Sequence, residues 1–254
     1  MHIETMGEGP DLVLLHGWAM HGGIFAPLTR ALRERFRLHV VDLPGHGFSR
    51  DDDLTLDPQT CANALLATLP RAIWIGWSFG GLVALNAALA QPDAVRGLAM
   101  IATSPRFVAA PDWPHAVPIE VFTQFDTGLR GDYRATIERF LALEAMGSDH
   151  ARAELRELQA QVFARGEPAL AALEQGLHIL ETADLRARIA ELDVPNLWIG
   201  GRRDRLVPAA AMRWAAQRNP HGRFVEISSG HAPFVSHAAD VASAIVEFSG
   251  TIPV

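Results

Sequence analysis

The stretch Ala72–Ala84, AIWIGWSFGGLVA, decides how the rest of the chain is read. Four apolar residues lead into one serine held in a Gly-x-Ser-x-Gly frame, Gly76-Trp77-Ser78-Phe79-Gly80, and Gly81-Leu82-Val83-Ala84 follows. A short continuous apolar run fits a buried strand, and the segment after the glycines, GLVALNAALAQP, fits a helix. The glycines allow the sharp strand-to-helix turn that would clash with bulkier neighbours, and the turn sets the serine hydroxyl at the carboxyl end of a sheet. Free N–H groups at the start of the following helix favour negative charge there.

Outward from this stretch the same alternation repeats. DLVLLHG (Asp11–Gly17), LHVVDLPGHG (Leu38–Gly47) and VRGLAMIATSP read as further strands, with FAPLTRALRERF as a helix after the first. Continuous Val/Ile/Leu runs separated by helices predict a mostly parallel sheet covered on both faces. The rhythm changes over residues 105–192. DYRATIERFLALEAM, DHARAELRELQAQVFAR, PALAALEQGLHIL and ADLRARIAEL all read as helix there. The alternation returns with VPNLWIGGRRD, a helix in PAAAMRWAAQRNP, the strand RFVEISSGH and a last helix, AADVASAIVEF. The expectation is an α/β core over 1–104 and 193–254, interrupted by a helical cap over 105–192.

Composition narrows the function classes. The chain of 254 residues is 49% hydrophobic and 20% charged, an ordinary globular balance. A formal net charge of −7 argues against nucleic acid as a partner. No apolar run reaches the roughly 18 residues of a membrane span, and the first residues lack the pattern of a signal peptide. The single cysteine, Cys61, excludes an internal disulfide and suits a reducing cytoplasm. A monomer is expected.

A serine hydroxyl is a poor nucleophile at neutral pH and needs a base, an orienting acid and an anion site. In strand-to-helix serine sites the chain order is Ser, then Asp or Glu, then His. Asp204 follows the strand NLWIGG and His231 follows RFVEISSG, so both fall at the same sheet edge as Ser78. Other candidates sit less well. His221 and Asp193 precede their strands, His237 opens the last helix in a capping position, His16 belongs to another element, and Asp42 lies in a structural bend. Asp204 has three arginines beside it (Arg202, Arg203, Arg205), so an ion-pair role is the competing reading. The anion site is expected from two backbone N–H groups, Phe79 after the nucleophile and Trp18 in LLHGWAM, with plain core packing as the alternative for the Trp18 side chain.

HGW, DLPGHGFS, GWSFGG, GGRRDRLVP and GHAPF together resemble the α/β-hydrolase superfamily across nearly the whole chain. Within it, AIWIGWSFGGLVA, ERFLALEAMG, GLHILETADLR and GHAPFVSH look like the pimeloyl-acyl-carrier-protein methyl ester esterases of biotin synthesis. That resemblance implies an α/β-hydrolase fold and a serine carboxylesterase without metal or organic cofactor. It implies hydrolysis of the methyl ester of a carrier-bound pimeloyl chain, with small esters as further substrates. The positions matching the family's substrate channel are Trp18, Ser78, Phe79, Phe140, Leu141, Ala142, Leu143, Glu144 and His231. Phe140, Leu141 and Leu143 could equally pack the cap on the core.

Arg139, Arg152 and Arg156 are candidate contacts for an acidic carrier protein, Arg152 and Arg156 one helical turn apart, although a solvated salt-bridge face is the competing reading. Two residues depart from the family pattern: Glu144 stands where glutamine would be less hazardous beside an acyl chain, and Phe79 is bulkier than leucine. Other enzymes compatible with the same residues are a short-acyl esterase and a carbon–carbon bond hydrolase. A small-molecule receptor on this fold is the alternative outside enzymes.

Overall fold

A computed structural model describes residues 1–252 of the chain. Its centre is a seven-stranded sheet in the order β1-β3-β2-β4-β5-β6-β7. The strands are β1 (His2–Met6), β2 (Asp11–Leu15), β3 (Arg37–Asp42), β4 (Ala72–Trp77), β5 (Val95–Ile101), β6 (Asn196–Gly201) and β7 (Gly222–Ile227). Only β1 runs antiparallel, pairing with β3 from His2 opposite Asp42 to Met6 opposite Leu38. The other neighbours are parallel. Every residue of β4 and of β6 is buried, which is why both read as unbroken apolar runs rather than alternating ones.

The helices of the core are α1 (Ala26–Leu32), α2 (Pro58–Leu66) and α3 (Phe79–Ala90). Between β5 and β6 come α4 (Ile119–Gly131), α5 (Tyr133–Ala145), α6 (Ala151–Val162) and α7 (Leu170–Thr182), then α8 (Ala209–Arg218), α9 (Pro233–Ser236) and α10 (Ala238–Gly250) after β6. Three details differ from the sequence reading. Helix α4 has no counterpart in it, because IEVFTQFDTGLRG mixes two glycines, β-branched residues and two phenylalanines without a clear start signal; Pro118 precedes it without a side-chain cap. ADLRARIAEL forms a 3₁₀ helix over Arg186–Glu191 rather than an α-helix. Strand β1 is short and lies at a sheet edge with none of its residues fully buried, so it carries no apolar run to announce it.

The core runs through the sheet and into the helical segment between β5 and β6. Trp74, Trp77, Trp198 and Phe234 are almost wholly buried, and so are Leu141, Leu158 and Leu173 of α5, α6 and α7. Among the described residues no helix is long and apolar enough to cross a membrane.

Candidate active site

The parallel strands deliver their carboxyl ends to one edge, and the loops leaving β2, β4, β6 and β7 meet there. Ser78 follows β4 directly with φ 52° and ψ −118°, a conformation an L-residue holds only when its surroundings impose it. The surroundings are identifiable. The Ser78 N–H donates to the Ile101 carbonyl at 3.0 Å, and the Ser78 carbonyl accepts the Thr103 hydroxyl at 2.7 Å and the Gly81 N–H at 2.9 Å. A Cβ on Gly80 would fall 2.2 Å from the Leu15 carbonyl oxygen, so the helix can start this close to β2 only with glycine there.

His231 is held on three sides. Its Nδ1 lies 2.8 Å from Asp204 Oδ2, its N–H donates to the Glu144 carbonyl at 3.1 Å, and its carbonyl accepts the Trp77 indole N–H at 2.9 Å. Asp204 Oδ1 accepts the N–H groups of Leu206 and Val207 at 2.8 and 2.9 Å, which fixes the carboxylate as the turn leaves β6. The ion-pair alternative for Asp204 does not hold: Arg203 bonds Asp149 and Arg202 bonds Ser228. The dyad is closed to solvent, with His231 1% and Asp204 7% exposed. Among the described residues His231 Nε2 has no partner, and Ser78 and His231 line one narrow cavity. Burial opposes charge on the His231 imidazole. The charge and hydrogen bond of Asp204, with the nearby Glu144 carboxyl, outweigh that, and the net shift is upward from 6.5.

The loop after β2 reaches the same point. A Cβ on Gly17 would lie 3.2 Å from Ser78 Cβ, so the backbone of His16, Gly17 and Trp18 passes beside the serine. Among the described residues the Trp18 and Phe79 N–H groups have no hydrogen-bond acceptor. His16 fixes this loop: the Leu43 N–H donates to its Nε2 at 2.9 Å, so Nδ1 carries the proton and donates to the Gly17 carbonyl at 2.8 Å.

Comparison with known proteins gives the family. The profile described as the alpha/beta hydrolase family matches residues 12–244. The chain belongs to the α/β-hydrolase family. A pimeloyl-acyl-carrier-protein methyl ester esterase of Xanthomonas campestris pv. campestris (strain B100) is 56% identical over 254 residues, covering 100% of both chains. One of the same name from Stenotrophomonas maltophilia (strain R551-3) is 55% identical over 249 residues, 98% of this chain and 96% of its own. Among solved structures, an esterase of Exiguobacterium antarcticum aligns with TM-score 0.87 at 21% identity, covering 98% of this chain and 95% of its own. An enol-lactonase of Burkholderia xenovorans LB400 aligns at 0.86 and 22%, covering 98% and 96%. At such identities the structures speak for the fold alone.

The hydrolase cavity is lined by Ser78 and His231 with Phe107, Val121, Phe122, Phe125, Phe140, Leu180, Leu206 and Val207. Of the stretch Phe140–Glu144, only Phe140 forms this wall. Leu141 is buried in the packing of α5, Ala142 is exposed and Leu143 half-buried, while Glu144 is buried behind the dyad. The Trp18 side chain donates its indole N–H to the Leu173 carbonyl at 2.9 Å and packs edge-on against Phe140 at 4.8 Å. Phe79 is buried and its side chain does not line the cavity. Sequence reading missed Val121, Phe122 and Phe125 because α4 itself went unread. The run LVP after Asp204 was the available signal for Leu206 and Val207.

The remaining expectations are also located. His237 caps α10 by position, yet its side chain makes no cap bond; its Nδ1 pairs with the Ser236 hydroxyl at 2.7 Å. Asp42 is buried in its bend, accepting the Gly22 and Phe48 N–H groups and facing Arg165. Arg139, Arg152 and Arg156 are exposed on the adjoining helices α5 and α6, with Arg139 donating to Thr136 at 2.9 Å.

Proposed function

We propose that this chain is a serine carboxylesterase that hydrolyses the methyl ester of a pimeloyl-acyl-carrier protein in biotin synthesis, releasing methanol. One observation carries the chemistry: a strained serine and a histidine with a free Nε2 open into one apolar cavity, the other ring nitrogen being tied to a carboxylate. The substrate rests on the full-length identity to esterases of that name.

Ser78 Oγ attacks the ester carbonyl while His231 Nε2 takes its proton, and Asp204 stabilises the imidazolium. The Trp18 and Phe79 N–H groups receive the oxyanion, each such donor being worth about 3–4 kcal/mol in other serine hydrolases. Collapse expels methoxide, which leaves as methanol with the histidine's proton. Water then attacks the acyl-enzyme, giving its proton to His231, which returns it to Ser78 as the acid departs. Helices α4–α7 act as a cap whose apolar wall accepts the methylene chain, and Arg139, Arg152 and Arg156 meet the acidic carrier at its outer face.

The test is methanol release from the carrier-bound methyl ester, with the acyl group weighed by mass spectrometry. Wild type removes the mass of one CH₂ unit, and Ser78→Ala is slower by at least about a thousandfold. Arg152→Glu with Arg156→Glu raises KM for the carrier-bound ester and leaves a free methyl ester unaffected. Cleavage of short esters through Ser78 with the carrier-bound ester untouched would remove the biotin assignment and leave the esterase.

A further inference from the structure

Glu144 is unlike the other buried acids among the described residues. It sits in the last turn of α5 at 1% exposure, and neither carboxyl oxygen has a hydrogen-bond partner. A carboxylate so placed is strongly disfavoured, since buried polar side chains are normally satisfied. The other interior acids are satisfied at least in part: Asp42 and Asp204 by backbone N–H groups, Glu154 by the Ser148 hydroxyl at 2.6 Å. The residue is also fastened to the site by its backbone, whose carbonyl accepts the His231 N–H at 3.1 Å.

The charged groups that face Glu144 come from two strand-end loops: His231 after β7 and Asp204 after β6. Other charges on the adjoining segments have partners of their own. Glu154 of α6 is engaged by Ser148, and Arg203 is bonded to Asp149 and to the Gly147 carbonyl. Burial, the largest influence, disfavours an ionised Glu144; the His231 charge pulls the other way, the Asp204 charge adds a smaller push upward, and the pKa is raised from 4.5 to about 8.

We propose that Glu144 is a positioning residue for the hydrolytic histidine: its backbone carbonyl holds the His231 loop, and its buried, unpartnered carboxyl sets how firmly the imidazole keeps its proton. This rests on the reading of His231 as general base. Glu144 and His231 then titrate as a pair. While Glu144 keeps its proton it behaves as an amide would, and His231 is free to act as base. As Glu144 ionises, its charge holds the imidazolium, so His231 remains protonated to higher pH. The same charge stabilises the imidazolium formed during attack, so the alkaline plateau of the rate is higher with Glu144 than without it.

The test follows the His231 imidazole by nitrogen NMR across pH in the full chain, in Glu144→Gln and in Glu144→Met. The pH profile of methanol release from the carrier-bound ester is measured beside it. Both variants are expected to release the His231 proton in a single step at lower pH, by roughly one pH unit. Wild type gives a broader, two-step curve. The rate profiles should cross, with Glu144→Gln faster than wild type on the acid limb and several-fold slower on the alkaline plateau, and KM unchanged. Superimposable His231 titrations in wild type and in whichever variant folds would overturn the proposal, whatever the rates. Failure of the underlying reading looks different: Ser78→Ala, or a His231 variant, would keep the wild-type rate.

Discussion

At Ser78 a single residue stores strain so that a hydroxyl can stand clear of its own backbone, and the surrounding bonds from Ile101, Thr103 and Gly81 hold it there. Asp204 shows how one carboxylate serves two ends. Oδ1 is fixed by two N–H groups of the turn, while Oδ2 is directed at His231. Asp204→Asn keeps an acceptor for the turn but presents an amide to Nδ1, which favours the wrong imidazole tautomer. The expected result is a folded protein whose kcat falls by about 10⁴-fold, measured by methanol release with circular dichroism as the fold control.

At the scale of elements, the site depends on contacts between helices and strand-end loops that lie far apart in sequence. Phe125 of α4 packs edge-on against Phe140 of α5 at 5.4 Å, and Phe140 against Trp18 at 4.8 Å, so aromatic rings link the cavity wall to the loop beside Ser78. The Trp18 indole adds a bond to α7 through Leu173. Phe125→Ala opens the wall without touching Ser78 or His231. It should lower kcat/KM for the pimeloyl ester by about 10-fold and shift preference among methyl esters toward bulkier acyl groups. A series of acyl lengths assayed on wild type and variant measures that shift. An unchanged preference would remove α4 from the binding wall.

For the whole molecule, buried histidines set the acid limit of stability. His16 and His46 are wholly buried, and burial, the largest influence on each, pushes them down to about 3 and about 4 from 6.5. Their unfolded forms take up protons near 6.5 while the folded forms resist. The stability is therefore fully present above about pH 6.5 and is lost as pH falls toward 4, at up to about 1.4 kcal/mol per pH unit and group. His46 makes one ring bond, to the Pro44 carbonyl at 2.9 Å, and its Nε2 has no partner. His46→Gln should therefore flatten the fall of the urea midpoint between pH 7 and pH 5. An undiminished slope would assign the acid limit to other groups. Glu144 acts in the opposite direction, since its raised pKa withdraws stability as pH rises from 4.5 to about 8.

The residues around Ser78 were legible because sheet order imposes chain order: the elbow, Asp204 after β6 and His231 after β7 can be read from apolar runs and the turns that end them. The α/β class and helices α5, α6 and α7 were legible for the same reason, a periodicity that each segment carries by itself. Strand β1 and helix α4 were not, since an edge strand and a helix with weak local signals take their form from what they pack against. The cavity wall shared by α4, α5, α7 and the Leu206–Val207 turn, the isolation of Glu144 and the Trp18–Leu173 bond were decided only by the tertiary structure. Each depends on distances between residues tens to more than a hundred positions apart, and local sequence sets no such distance.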